Sequence, residues 1–514
     1  MLAQAKPNAP LLVHAMKFAL LIFLGGINQM ARSQTPREVI HNDPSRSSHS
    51  FPHYWERMFG SGRAILSLRA SYRDDLGMLK SSTGVEYVRF HAIFHDEVGV
   101  YSEDADGHPV YNFSYVDQIY DGLLANNVKP FVELSFMPGT LASGNTTVFR
   151  YRANVTPPKD YNQWAVLIGK LTAHWVDRYG VKEVREWFFE VWNEPNLKAF
   201  WTGTQQDYFK LYRVTAEAIK SVDPLLKVGG PVSAKNAWIP EFVDFCKQKK
   251  VPVDFVSTHH YPTDAFGKIG ADTLTQLQNA PRGVMREDAV KVRDQACGLP
   301  VYYTEWNISS NPRDPLHDEP FTAALASKIV MEASGLVLGY SFWTFSDIFA
   351  ENYFPSVPFQ GGFGLLTIHG IPKPVYRAFE LLHHLGTESL VVEGSHETVN
   401  AWVVRKKNAA TILLTNHAMP RHPIQTELFN LRVANAPQPR VVYIERIDED
   451  HANPRRLWQA MGEPLYLNAL QVEQLKAASC LEKQPQPWKY EQQNIDLSIS
   501  LPPHAVAAIT IEFA

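Results

Sequence analysis

From about residue 51 to about residue 385, short apolar runs alternate with longer stretches whose apolar residues recur every three to four positions. The first pattern is that of buried strands, the second that of amphipathic helices. Eight runs read as strands: Ala64–Leu68, Tyr87–His91, Pro130–Ser135, Trp187–Trp192, Lys227–Pro231, Asp254–His259, Pro300–Glu305 and Tyr340–Phe345. Helices are expected between them, for example over Asn162–Tyr179 and Gln206–Val222, the second stopping at SVDP. Strands and helices in that order predict an α/β fold, a (β/α)8 TIM barrel, whose reactive residues sit at the C-terminal strand ends. After residue 385 polar and apolar residues alternate singly across turn signals at Asn408 and His417. That texture predicts an antiparallel β-sandwich accessory domain over 386–514, with a helical insert near Asn468–Ser479.

The N-terminus departs from both patterns. Met16-Lys17 precedes the apolar run FALLIFLGGI, polar residues follow, and Ala31-Arg32-Ser33 sets small residues at the −3 and −1 positions. This is the layout of a secretory signal peptide over residues 1–33, cut near Ser33–Gln34, with Met16 a better start than Met1. The run is short for a bilayer span, although an uncleaved anchor is the alternative. The expected location is therefore periplasmic or extracellular, with no membrane attachment after cleavage. Residues 34–50 are polar and rich in Pro and Ser, and read as an arm ahead of the barrel domain at 51–385.

Composition narrows the partners. The net charge of −4 gives no reason to expect nucleic acid or an anionic membrane. Twelve Trp and 21 Tyr exceed what packing requires and suit flat, ring-shaped ligands, although core packing is the larger use expected of them. Three cysteines, Cys246, Cys297 and Cys480, make no disulfide framework and have no metal-ligand spacing, though one pair stays open in an exported chain.

Two strands end in a glutamate. FFEVWNEP, Phe188 to Pro195, stops at Asn193-Glu194-Pro195, because proline removes a donor and favours an extended residue before it. VYYTEWN places Glu305 at the end of the seventh run. Strands four and seven face each other across a barrel mouth, so their carboxylates can flank one bound sugar. Acetal hydrolysis needs that pair: an acid for the leaving oxygen, and a carboxylate to attack or to activate water from the other face. Other motifs carry less. GGFG at Gly361–Gly364 reads as a turn, and His95-Asp96-Glu97 and His317-Asp318-Glu319 read as solvated loop groups lacking metal-site spacing. Asn145 and Asn154 match glycosylation acceptors.

The segments FEVWNEPNLKAFW, KVGGPV, VPVDFVSTHHY, YYTEWNIS, HDEPF, YSFWTFSDIF and GGFGLLTIHGIPKP, in this order, resemble glycoside hydrolase family 39 and its bacterial β-xylosidases. The resemblance covers about Ser61 to Phe379 and implies a retaining glycosidase without cofactor or metal, acting on an oligosaccharide. It makes Glu194 the acid/base and Glu305 the nucleophile. Asn193 would bond the sugar 2-hydroxyl and His91 would contact the sugar. Tyr261 would hold the nucleophile with His259 beside it, Trp343 would lie under the ring, and Glu351 would accept from hydroxyls. Each also has a plain reading: core histidines for His91 and His259, packing for Trp343, a solvated loop carboxylate for Glu351. His260 stands where those β-xylosidases carry a small residue, and PTDAFGKIGADTL follows, so the sugar is less determined than the reaction. An α-L-iduronidase-like or other family activity is one alternative, and an inactive carbohydrate-binding protein is another. Self-association is left open.

Overall fold

The computed structural model describes residues 39–42, 48–264, 272–352 and 354–513. The expected leader, and most of the stretch following Pro262-Thr263-Asp264, lie outside them. Eight parallel strands close a barrel: β1 Met58–Ser61, β2 Tyr87–Phe90, β3 Lys129–Leu134, β4 Phe188–Val191, β5 Lys227–Ser233, β6 Phe255–His259, β7 Val301–Trp306 and β8 Gly339–Phe342. Helices such as Tyr161–Tyr179 and Gln205–Val222 surround it. The second starts at a reciprocal cap between Thr204 and Asp207, which satisfies two otherwise unpaired backbone donors.

One strand was misplaced in sequence. Ala64–Leu68 is a 3-10 helix, and β1 is the preceding Met58–Ser61. A short apolar run does not by itself distinguish the two, and Gly60 hides the true strand. A Cβ there would sit 2.4 Å from Trp343 Cε3, so β1 gives up a side chain to admit the indole. The expected arm also forms strands. Val39–Asn42 pairs with Glu427–Val433 and Val392–Glu393, and His49–Ser50 pairs with Glu388–Leu390. These partners belong to the C-terminal sandwich.

The barrel floor is an aromatic layer. Met58, Tyr87, Phe131, Phe188, Phe255 and Tyr302 occupy equivalent heights on six strands, with Phe131 and Phe188 stacked at 5.1 Å. The other two strands carry glycine there. A Cβ on Gly229 would lie 2.4 Å from Phe255 Cδ2, and one on Gly339 would lie 2.7 Å from Tyr302 Cδ1. Side chains alternate along a strand, so the layer above comes from Arg89, Glu133 and Glu190, all fully buried. A dry floor beneath a charged layer is what makes the upper end of the barrel reactive.

The sandwich packs a seven-stranded sheet on a five-stranded one. In Asn494–Leu501 the alternate residues Ile495, Leu497, Ile499 and Leu501 are buried between the sheets. The insert contains the expected helix, Ala469–Ala478 capped by Asn468, and a shorter one at Pro454–Ala460. No helix among the described residues is long and apolar enough to cross a membrane.

Barrel and sandwich meet at Phe321, whose ring lies 4.9 Å from His417 and 5.1 Å from His504. Arg282 clamps the joint, donating to the carbonyls of His417 at 2.8 Å and Thr398 at 2.6 Å. Burial drives the His417 imidazole well below its ordinary value, assisted by His504, Arg282 and Lys328, and burial takes His504 down to about 4. Both are neutral in the fold, while the unfolded chain takes up their protons near pH 6.5. Stability is therefore complete above about pH 6.5 and falls as pH drops towards 4. Thermal melts at pH 7 and pH 4 are expected to show this loss, and His417→Leu should reduce it by at least about 2 °C.

Candidate active site

β4 delivers the turn carrying Asn193 and Glu194 under backbone constraint. Trp192 and Glu194 adopt left-handed backbone with φ of 79° and 46°, a conformation that costs a non-glycine residue about 1–3 kcal/mol. Surrounding bonds hold it. Trp192 Nε1 donates to the Phe200 carbonyl at 2.8 Å, and the Glu194 amide donates to the Val232 carbonyl at 2.9 Å. The turn thereby aims Asn193 and Glu194 into the barrel mouth.

β7 uses a different device. Its pairing slips between Thr258 and His259 on one side and between Tyr303 and Trp306 on the other. Such a bulge re-aims side chains. Sequence neighbours Thr304 and Glu305 consequently both face inward. Thr304 Oγ1 donates to Glu190 Oε1 at 2.7 Å, while Glu305 reaches the cavity above.

Arg89 organises the charged layer. Its guanidinium meets Glu190 Oε2 at 2.6 Å, Glu133 Oε2 at 2.7 Å and Asn193 Oδ1 at 3.0 Å, with Nη1 3.5 Å from Glu305 Oε2. Glu133 also bonds His91 Nδ1 at 2.7 Å and accepts from Ser135. Burial alone would raise the Glu133 carboxyl, but Arg89 and His91 bring it below its ordinary value.

The two glutamates stand in unlike surroundings. Glu194 Oε1 lies 3.0 Å from His259 Nδ1. Burial, followed by the Asp264 charge, pushes the Glu194 carboxyl up to about 8, and burial takes His259 down to about 4. At neutral pH the pair is thus a protonated acid beside a neutral imidazole. Glu305 Oε1 accepts from the Tyr261 hydroxyl, whereas the buried Oε2 has no hydrogen-bond partner among the described residues. Burial raises Glu305 as well, and the Glu194 carboxylate adds to it, while Arg89 favours its charged form. Like-charge repulsion opposes ionising both carboxyls, and the nearby guanidinium favours placing the charge on Glu305. Glu305 Oε2 lies 3.5 Å from both Arg89 Nη1 and His259 Nδ1.

Oxygens of Glu194 and Glu305 lie within 4.8 Å of each other. Retaining glycosidases separate their carboxyl groups by about 5–5.5 Å and inverting ones by about 6.5–9.5 Å, so the geometry is of the retaining kind. With His259 the pair also presents metal-type donors, but the hydrogen bond at 3.0 Å already accounts for their approach.

A cavity of about 530 Å³ opens over the pair. His91, Asn193, Tyr261, Trp343 and Glu351 line it with the two glutamates, and His259 stands behind them. Glu351 is not a solvated loop group: it is 7% exposed, and burial with the carboxylates of Glu305, Glu133 and Glu194 raises it well above its ordinary value. The expected solvation of His317-Asp318-Glu319 is likewise corrected, since His317 and Asp318 are each 1% exposed. His95-Asp96-Glu97 is also bonded: His95 Nε2 lies 2.8 Å from the Tyr151 carbonyl, Asp96 accepts from Gly139 N at 2.9 Å, and Glu97 pairs with Arg63 at 2.7 Å. The sequence reading passed over Arg89, Glu133 and Glu190, although each was a charge in the middle of an apolar strand, a place that demands a partner. Phe149, Asp264 and Phe363 come to the cavity from loops and carried no comparable signal.

Fold and site together define a barrel glycosidase that works through paired carboxylates. The family model for Glycosyl hydrolases family 39 matches residues 38–494, and the chain belongs to that family. It is 47% identical to a beta-xylosidase of Caldicellulosiruptor saccharolyticus over 89% of this chain and 95% of that protein. It is 40% identical to a beta-xylosidase of Geobacillus stearothermophilus over 92% and 95%. A crystal structure of a monomeric beta-xylosidase from Caulobacter crescentus superposes with a TM-score of 0.81 at 33% identity, covering 93% of this chain and 100% of that one.

The two carboxyl environments set a pH profile. With Glu194 as acid and Glu305 as nucleophile, the roles the family resemblance implies, the competent form would have Glu194 protonated and Glu305 ionised. On aryl glycosides, kcat/KM should fall as pH rises through about 8, and its acid limb should lie above the ordinary glutamate value because burial raises Glu305.

Proposed function

We propose that this protein is a retaining exo-glycosidase that releases β-linked xylose from the non-reducing end of short xylo-oligosaccharides or related glycosides. The observation that carries the reading is the pairing of Glu194 and Glu305 within 4.8 Å at the base of a single cavity. The cavity wall suits an end-acting enzyme. The hairpin of Thr147–Val148 and Ala153–Asn154 reaches over to the loop after β8, where Arg150 N donates to the Glu351 carbonyl at 2.7 Å and the guanidinium lies 4.6 Å from the Phe354 ring. A cleft barred in this way accepts a terminal sugar rather than a chain passing through.

In the first step the Glu305 carboxylate attacks the anomeric carbon and the C–O bond to the leaving group breaks, while Glu194 gives its proton to the departing oxygen. In the second step ionised Glu194 takes a proton from water, and the resulting hydroxide displaces Glu305, so configuration is kept. Asn193, oriented by Arg89, offers its amide to the sugar 2-hydroxyl, and Trp343 supplies a ring face. Xylose is supported by the named activity of the relatives at 47% and 40% identity. An iduronidase-like activity would need a cation for the sugar carboxylate. Among the described lining residues Lys235 is the one lysine or arginine, and its Nζ is already engaged by the Asp264 carbonyl at 3.0 Å. Export remains part of the proposal, supported by the leader-like N-terminal segment.

Glu305→Gly is expected to abolish turnover. Glu194→Ala should lose about 10²–10⁴-fold on substrates with poor leaving groups, yet still be glycosylated by activated aryl glycosides, with azide speeding the second step. A panel of aryl β-xyloside, α-L-arabinoside, β-glucoside and α-L-iduronide, assayed by released phenol, should show β-xyloside as the best substrate. Normal activity in both variants would overturn the residue assignment, and preference for another sugar would overturn xylose.

A further inference from the structure

The segments after β7 and β8 share a buried ion cluster that the chemistry above does not use. Lys373 is fully buried, and its Nζ lies 2.8 Å from both Asp318 Oδ1 and Asp347 Oδ2 while donating to the Gly362 carbonyl at 2.9 Å. The same two carboxylates turn their remaining oxygens to backbone amides. Asp318 Oδ2 accepts from Gly361 N at 2.6 Å, and Asp347 Oδ1 accepts from Gly364 N at 2.8 Å. Every atom of this arrangement closes on the four-residue turn Gly361–Gly364.

That turn has one side chain, Phe363. Its ring lines the sugar cavity and clusters with Trp343 and Phe349, 5.5 Å from the Phe349 ring and 5.3 Å from His317. The glycines around it are obligatory. Gly361 has φ of 77°, a Cβ on Gly362 would fall 2.2 Å from Asp347 Oδ1, and one on Gly364 would fall 2.3 Å from Asp347 N. A turn made of glycines has little stiffness of its own, so its position depends on what grips it.

We propose that the buried Asp318–Lys373–Asp347 cluster is the positioning device for the Phe363 wall of the sugar cavity, with Lys373 as its central positioning residue. The cluster touches no reacting atom. It acts by holding Phe363 against the Trp343 side of the cavity, so that the terminal sugar meets a formed wall rather than a mobile loop. The inference rests on the cavity being the sugar site.

A double-mutant cycle tests it. Lys373→Met and Asp318→Asn are each made in the full-length protein, alone and combined with Phe363→Leu. Kinetics are measured well below each variant's Tm, on whichever aryl glycoside of the panel the wild type cleaves best, so a wrong sugar assignment leaves this test standing. Each single cluster variant is expected to raise KM about tenfold while kcat changes less than about threefold, as loss of ground-state binding does. In the Phe363→Leu background the same substitutions should change KM by less than about twofold, because their target is already gone. Equal KM changes in both backgrounds, or a lower Tm with unchanged KM, would overturn the proposal. Should Lys373→Met fail to fold, Asp318→Asn decides, since an amide can still accept from Gly361 N.

Discussion

Most of the site depends on one buried guanidinium. Arg89 stands in the middle of β2 at zero exposure, with Glu133 and Glu190 at its sides and Asn193 and Glu305 above it. A charge in such a place is stable only when paired and hydrogen-bonded, and removing one member of a buried pair typically costs about 3–5 kcal/mol. The strands that supply these partners, β3, β4 and β7, are therefore locked to β2 by charge as well as by the ladder. The same cation favours an ionised Glu305 and orients the Asn193 amide. Structural and chemical demands meet in one side chain.

This constraint explains how two buried glutamates at one cavity acquire different states. Burial raises both, so desolvation alone would leave two neutral acids. Glu305 has the nearby guanidinium and the Tyr261 hydroxyl to support a charge. Glu194 instead has the Asp264 carboxylate acting against its ionisation and a neutral imidazole at 3.0 Å. The asymmetry lies in the neighbours rather than in depth.

Sequence pattern was informative where local rules govern. Seven of the eight barrel strands, the helix over Tyr161–Tyr179, the insert helix and both strand-end glutamates follow from periodicity, caps and proline placement. It failed at β1, where Gly60 yields to a tryptophan 283 positions away, a relation between strands that no local window contains. It failed also at the bulge in β7, since the slip that turns both Thr304 and Glu305 inward is set by pairing with β6 and β8. His317-Asp318-Glu319 looked like ordinary loop polarity because the groups that bury it arrive more than forty residues later, from Gly361 and Lys373.

The turn at Gly361–Gly364 shows why charge was used where apolar packing would often be at least as stabilising. Close approach to Asp347 forbids a Cβ at Gly362 and Gly364, so apart from the Phe363 ring the turn has no side-chain surface by which an apolar neighbour could hold it. What such a segment does offer is bare amides and carbonyls, and these need partners once buried. Two carboxylates take the amides, and one ammonium then neutralises the carboxylates while reaching the remaining carbonyl. On the outer side of the loop Phe359 and Ile371 pack on Trp458 and Leu475 from the sandwich's helical insert, and Arg455 pairs with Glu319. The accessory domain thus touches the back of the segment whose front forms a wall of the cavity, which places it in mechanical contact with the site although none of its described residues lines the cavity.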